Sequence, residues 1–431
     1  MVKRITDIIQ SNHQVLKNMT WLGVLQFANY LIPLLIIPYI VRILGVDLFG
    51  KVSYAQNIIS YLTIIIYYGF EYSATQEIAI NKHDKKKLGS IFWTVIQFKT
   101  ILLLITFILW VVLCFCFSKV EEDKLLYFYG MLINVGMVLF PTWFFQGIEK
   151  MSKMTIFNFL IKALGAVFIV LFIHNKSDFR IYLLIPSISY IIIGILAFFY
   201  IIKKYELFPV HRESFLKSNV IKKGFPIFLN NSFATLYTVA GMTILGFYIS
   251  NQQLGIYSGA NKIIIAVVML TSMPISIALF PLMSRKFSES IHDGLVFFKK
   301  SLIWVGAFAL ICSISIFLLS PIFVHILLGK GFEESIPLLR LFSILPFLVI
   351  MASMFTVQGM YGLQLQRYAP YIGATIAVFS IGLNFILVSR IGIYGAAWSY
   401  ILSEILEIIF VILLLYFKIG NKTTLIQQKN K

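Results

Sequence analysis

Charge is scarce in this sequence: only 13% of its 431 residues are Asp, Glu, Lys or Arg, about half the share of an ordinary soluble domain. A soluble fold of this length could not cover its surface with so few polar groups, which excludes a soluble enzyme, a secreted scaffold and a disordered hub. Cysteine is nearly missing. Cys114, Cys116 and Cys312 all sit in apolar runs, which excludes a disulfide framework, a zinc cluster and an iron–sulfur site. There is no phosphate-binding Walker motif, so the chain does not hydrolyse ATP itself. The six His lie in loops or near interfaces, and no two have metal-ligand spacing on a helix. The first apolar run begins near Met19 and is too long for a signal-peptide core, so it reads as a retained spanning helix.

What remains is apolar. Hydrophobic residues make up 59%, Phe alone contributes 40 residues, and mean hydropathy is +0.88. A spanning helix needs about 20 mostly apolar residues. Twelve such runs are predicted, at 19–41, 52–78, 90–117, 125–147, 154–173, 181–202, 224–249, 257–283, 301–319, 337–361, 371–388 and 395–417. The expected fold class is therefore an all-α membrane protein with two lobes of six helices. The expected organisation is an N-terminal lobe over 1–202, a cytoplasmic linker over 203–223 and a C-terminal lobe over 224–431.

The net charge of +18 follows the connecting segments. With both termini placed in the cytoplasm, the inside segments hold 24 basic and 7 acidic residues, and the six outside loops hold 8 and 7. This is the positive-inside bias of a multi-pass protein and not a nucleic-acid footprint. The basic loops could also touch anionic lipid head groups. The longest outside loop, 320–336, is too short for a separate domain, so function is expected inside the bundle.

A weak internal repeat appears at an offset of 205. Gly50 aligns with Gly255, Ser53 with Ser258, Ala55 with Ala260, and Gln26 with Asn231; Gln146-Gly147 aligns with Gln358-Gly359 at offset 212. Because six helices return the chain to the same face, this predicts a parallel repeat, an architecture used by transporters.

Polar residues inside the spans mark the candidate site, because lipid does not satisfy them. Gln26, Asn29, Tyr30 and Pro33 share a face of span one. Ser53, Asn57, Ser60, Tyr61, Tyr68, Glu71, Tyr72 and Thr75 recur near a helical period in span two, and Asn231, Thr235 and Thr238 do so in span seven. Such stripes serve either as glue between helices or as a wet cavity, and three of them in the first helix pairs of the two halves favour the cavity. Pro33, Pro38, Pro141, Pro226, Pro274, Pro281 and Pro346 would bend their helices. Lys99, Lys162 and Lys262 fall within spans, and Lys162 shares a face with Asn158 and Thr155. A buried charge costs at least about 2.5 kcal/mol unless it is paired or hydrated; Lys99 with Glu71 would make one neutralised pair. Glu404 and Glu407 are three residues apart near mid-membrane. They either bind a coupling ion, H⁺ or Na⁺, or pair with a Lys.

Several segments then carry a family resemblance. Ile36–Gln56 (IIPYIVRILGVDLFGKVSYAQ), Tyr68–Thr75 (YGFEYSAT), Phe140–Glu149 (FPTWFFQGIE) and Gly392–Trp398 (GIYGAAW) resemble the Wzx-type polysaccharide flippases of the MOP exporter superfamily. The resemblance covers nearly the whole chain and is most specific in its first half. It implies two six-helix lobes around a cavity and movement of undecaprenyl-pyrophosphate-linked repeat units across the bacterial inner membrane. The family's cationic cavity would be met by Lys99, Lys162 and Lys262, and the sugars by Gln26, Asn57, Tyr61, Asn231 and Thr235. Glu71, Glu404 and Glu407 would be coupling-ion candidates. No cofactor is implied. The implied partners are the lipid-linked oligosaccharide, membrane lipids, a polysaccharide polymerase and a chain-length regulator. A MATE-like exporter of small molecules shares the architecture. A membrane polymerase or glycosyltransferase would need an external catalytic loop, which this chain lacks.

Overall fold

Leu, Ile, Val and Phe fill the predicted spans, and apolar runs of this length hide their backbone polar groups by closing them into helix. The computed structural model bears this out. It describes the backbone of residues 2–207 and 218–429, and within these the side chains outside 2–19, 22, 237 and 419–429. Among the described residues there are helices and no strands.

The helices are α1 (Val2–Tyr67), α2 (Phe70–Ile80), α3 (Lys85–Cys116), α4 (Ser118–Glu121), α5 (Lys124–Met131), α6 (Ile133–Leu139), α7 (Thr142–Gly147), α8 (Met151–Phe172), α9 (Ile181–Tyr205), α10 (Asn219–Tyr248), α11 (Asn251–Glu289), α12 (Ile291–Leu327), α13 (Ser335–Phe342), α14 (Leu345–Ser353), α15 (Ala369–Ile391) and α16 (Ile393–Lys429). A π-helical turn, Met354–Tyr361, follows α14.

Ten segments among the described residues are long and apolar enough to cross a membrane. The first, Gly23–Ile80, has 58 residues. Straight, it would measure about 87 Å at 1.5 Å per residue, nearly three hydrocarbon thicknesses. It is not straight: Gly45 breaks α1 with φ 72° and ψ 177°. The run predicted as span seven coincides with α10, whose first half mixes Lys222, Lys223, Asn230, Asn231 and Ser232 with apolar side chains and whose second half includes the apolar stretch Thr238–Tyr248. The runs predicted as spans four and ten are built from short pieces, α5–α7 and α13–α14 plus the π-helical turn. Pro33, Pro38, Pro226, Pro274 and Pro281 lie inside helices, as do Pro186 and Pro321. Pro141 caps α7 and Pro346 begins α14.

The chain packs as two compact units, Met1–Thr235 and Leu236–Lys431. The division falls inside α10. The segment expected as a linker, 203–223, precedes it, and its residues 208–217 lie outside the described residues. The first turns of α10 are tied to unit 1 by an ion pair from Lys223 to Glu77 (2.8 Å) and by Phe228 stacked on Tyr68 (centroids 5.4 Å apart).

Within unit 1, segments expected on one face do meet. Asp123 is joined to Lys51 at 2.9 Å and to Arg180 at 2.8 Å, which gathers three loops expected outside. At the other end Lys82 meets Glu149 at 3.4 Å and Lys85 meets Glu206 at 2.6 Å. A buried aromatic core that includes Phe92, Trp143, Phe144 and Phe145 packs beside this second end, with Phe144 against Tyr205.

Candidate functional site

Two helix breaks shape the site. The first lies at Tyr68–Gly69, between α1 and α2, where both residues have positive φ. Gly69 has no alternative: a Cβ there would stand 2.8 Å from the Gly224 carbonyl and 2.8 Å from Ile227. The second lies at Phe140–Pro141, between α6 and α7, where the backbone is extended and Pro141 supplies no N–H. Interrupted helices at membrane depth are tolerated only where they are buried in protein or line a cavity. Here they bring the first turns of α2 and α7 together. Thr142 Oγ1 donates to Glu71. Thr75 Oγ1 lies 3.1 Å from the Trp143 carbonyl and 3.3 Å from Gln146 Oε1.

Two cavities open beside these breaks. The first, of about 350 Å³, takes its polar lining from Gln56, Ser60, Thr63, Tyr67, Ser187 and Thr235, set among aliphatic side chains. Gln56 bonds with the Tyr182 hydroxyl. Thr63 Oγ1 stands 3.0 Å from Asn134 Oδ1, and Ser187 Oγ donates to the Tyr129 carbonyl at 2.8 Å. The second cavity, of about 380 Å³, is lined by Ile64, Tyr67, Gly69, Glu71, Tyr72, Gln146 and Asn231. Ile64 and Tyr67 are common to both. Among the described residues, neither cavity is lined by Lys, Arg or His.

Of the expected site residues, Glu71, Asn231 and Thr235 reach these cavities, and the others lie elsewhere. Gln26, Asn57 and Tyr61 are half-buried on α1. Lys99 is buried at 2% exposure; its Nζ donates to the Met137 carbonyl at 3.5 Å, and it interacts electrostatically with Glu71. Lys162 is half-buried, with Nζ 5.6 Å from the Tyr190 ring centroid. Its face-mate Thr155 donates to the Trp21 carbonyl. Lys262 is half-buried on α11 in unit 2.

In unit 2, Glu404 is buried at 4% exposure and lies one turn from Glu407 on α16, close enough for the two carboxyls to interact electrostatically. Glu407 Oε1 accepts from Thr356 Oγ1 at 3.2 Å, and Thr356 belongs to the π-helical turn. Gln358 in the same turn is fully buried and donates to the Ser276 carbonyl at 3.3 Å.

Reading the stripe of span two around Asn57 and Tyr61 missed Gln56, Thr63 and Tyr67. The signal was present. Positions 56, 60, 63 and 67 alternate steps of four and three and share one face, whereas Asn57 lies about 100° around the helix from Gln56. Both sets are polar, and only packing separates them.

Outside the spans, the electrostatics centre on Asp123. Burial alone would push its carboxyl up. The hydrogen bonds and charges of Arg180 and Lys51 outweigh that and hold it below the usual carboxylate range.

Comparison with known proteins agrees with this architecture. The family described as polysaccharide biosynthesis protein matches residues 15–287. A relative from Escherichia coli K12, named "Putative O-antigen transporter", is 30% identical over 394 residues, covering 90% of this chain and 94% of the relative. A protein of the same name from Shigella dysenteriae is 26% identical over 404 residues, covering 92% and 98%. Among solved structures, an inward-facing MATE family multidrug transporter of the MOP superfamily superposes with a TM-score of 0.70. It is 13% identical, and the match covers 93% of this chain and 96% of that one. The lipid II flippase MurJ in an inward closed conformation superposes with a TM-score of 0.67 at 14% identity, covering 95% and 87%. At these identities the structural matches speak for the fold.

Proposed function

The chain belongs to the polysaccharide biosynthesis protein family, and from that premise we propose that it is a flippase for a lipid-linked oligosaccharide. The cargo is an undecaprenyl-pyrophosphate-linked O-antigen or capsule repeat unit, moved across the bacterial inner membrane by alternating access between two lobes. That the chain is a multi-pass membrane transporter and not an enzyme is supported by its helices and by its relatives named O-antigen transporters. The substrate and the direction are the proposal.

The observation that carries the reading is the pair of cavities in unit 1. They lie within spanning segments yet present hydroxyl, amide and phenol groups. A sugar head group entering hydrocarbon would lose several kcal/mol for each hydrogen bond it leaves unmade. Side chains that donate and accept inside the bundle replace water for those hydroxyls, while the polyprenyl tail stays in lipid. Lys162 would attract the pyrophosphate. Glu404 with Glu407 would take up H⁺ or Na⁺ to couple the cycle. Both termini would face the cytoplasm, and a polymerase and chain-length regulator would receive the flipped unit.

The test is surface polysaccharide in a flippase-null strain complemented at matched protein level. Lys162→Arg should keep most transport, Lys162→Ala should lose much of it, and Lys162→Glu should be worst, because it repels the anion it should attract. Equal complementation by all three would remove Lys162 from the transport path.

A further inference from the structure

The second cavity of unit 1 has a specific chemical character. One carboxylate (Glu71), two amides (Gln146 and Asn231) and two phenol rings (Tyr67 and Tyr72) line it, and among the described residues no cationic side chain does. Each carboxylate or amide is planar and offers two polar atoms side by side. An ionised carboxylate accepts from two donors, and an amide donates and accepts. That matches neighbouring hydroxyls on a sugar ring. Tyrosine adds a flat apolar body with a polar tip, suited to the C–H face of the same ring. Glu71 is also fixed in place. Thr142 on α7 donates to it, and buried Lys99 provides a compensating charge from the protein side without lining the cavity. What Glu71 presents to the cavity is thus an oriented acceptor.

The same arrangement is hostile to anions. An acidic sugar placed here would set its carboxylate beside Glu71 with no Lys, Arg or His among the described residues of the wall to offset it, and like charges brought together at a binding surface are strongly disfavoured. We propose that this cavity is a subsite for a neutral, hydroxyl-rich sugar ring, with Glu71 as the residue that rejects uronic acids there. The proposal rests on the lipid-linked saccharide reading above and narrows it: the sugar ring and the pyrophosphate occupy different surroundings.

The experiment uses purified full-length protein and matched probes: methyl glucoside against methyl glucuronide, and methyl galactoside against methyl galacturonide, with binding read by saturation-transfer NMR and calorimetry. At least one neutral glycoside should bind about tenfold or more tighter than its uronide partner. In Glu71→Gln that gap should shrink to within about threefold, by gain of the uronide. Because the single variant leaves Lys99 without its counter-charge, Glu71→Gln with Lys99→Met is run beside it, both checked by thermal melting, and the double variant should show the same loss of discrimination. Asn231→Ala should weaken the neutral glycoside and leave the preference in place. Uronides that bind wild type as tightly as neutral glycosides would overturn the subsite and leave the flippase reading standing, as would a preference that survives both Glu71 variants. Failure of every glycoside to bind would also overturn the subsite. Whether wild type restores surface polysaccharide to a flippase-null strain then decides the flippase reading separately.

Discussion

The two units solve the same membrane problem by different means. Unit 1 interrupts its helices at Tyr68–Gly69 and Phe140–Pro141 and ties separate elements together at both ends, through Asp123 with Lys51 and Arg180, and through Lys223–Glu77. Unit 2 keeps long helices, α11 and α12, and its Arg285–Glu289 and Lys286–Glu289 pairs run along a single helix. Its irregularity is the π-helical turn that holds Thr356 against Glu407. Breaks in unit 1 open cavities, and clamps hold the broken pieces in register. In unit 2, α11 and α12 run unbroken, and the interrupted stretch of α13, α14 and the π-helical turn is tied to its neighbours by hydrogen bonds, Ser276 with Ser353 and Thr356 with Glu407. Unit 1 thus ties its elements by ion pairs and unit 2 ties its own by hydrogen bonds, and that difference is open to test by mutation.

The largest effect is expected at Glu71 on the cavity wall and Lys99 behind it. Glu71→Leu strands Lys99 in the core of unit 1 and should cost about 3–5 kcal/mol, seen as loss of monodisperse protein and a lower melting temperature in detergent. Adding Lys99→Met should restore much of the melting temperature, because removing both charges is far milder than removing one. A single variant that melts like wild type would show that the core of unit 1 does not depend on this pair.

A smaller effect is expected at the three-loop clasp. Asp123→Asn should cost about 1–3 kcal/mol at neutral pH, the range for a charge-assisted hydrogen bond lost at a buried group. The Asp123 carboxyl is held below its ordinary range in the folded chain, so its contribution is fully present above the unfolded value, about 3.9. It is lost as pH falls through the lower folded value. The melting difference between wild type and Asp123→Asn should stay constant from pH 5 to 8, as expected above that unfolded value, and close in stronger acid. A difference that widened on acidification would contradict the clasp.

The smallest effects come from exposed pairs. Arg285→Ala in unit 2 breaks a pair along one helix, and Lys85→Ala in unit 1 breaks a solvent-exposed pair between elements. Both should melt within error of wild type, since water and salt already screen such pairs. A clear loss for Lys85→Ala alone would sharpen the contrast by extending the clamps of unit 1 to its surface.

The helices themselves were largely legible. Their bounds follow the apolar runs closely, as at α8 and α9, because hydrophobic length is a property of the local chain. The breaks were partly legible: Gly69 and Pro141 were visible as residues, but not that they would face each other. The site was legible as a set of polar stripes and not as a lining. Glu71, Asn231 and Thr235 line the two cavities of unit 1, while Asn57 and Tyr61, equally polar and on the same helix as Gln56 and Ser60, do not line these two. Lys99 could be read from its position as a cavity cation. It is enclosed by protein instead, at 2% exposure, with the Met137 carbonyl and Glu71 around it.

The sequence by itself determined that this is an all-α membrane protein and that it belongs to a polysaccharide biosynthesis family, because composition, hydropathic length and motif order are written along one dimension. Only the tertiary structure decided which side of a polar helix lines a cavity, that Glu71 lines one while Lys99 lies behind it, and that the boundary between units falls within α10. Those outcomes depend on how a helix is rotated against its neighbours and where its axis breaks. One residue of rotation turns a side chain by about 100°, enough to exchange a place on the cavity wall for one in the protein core.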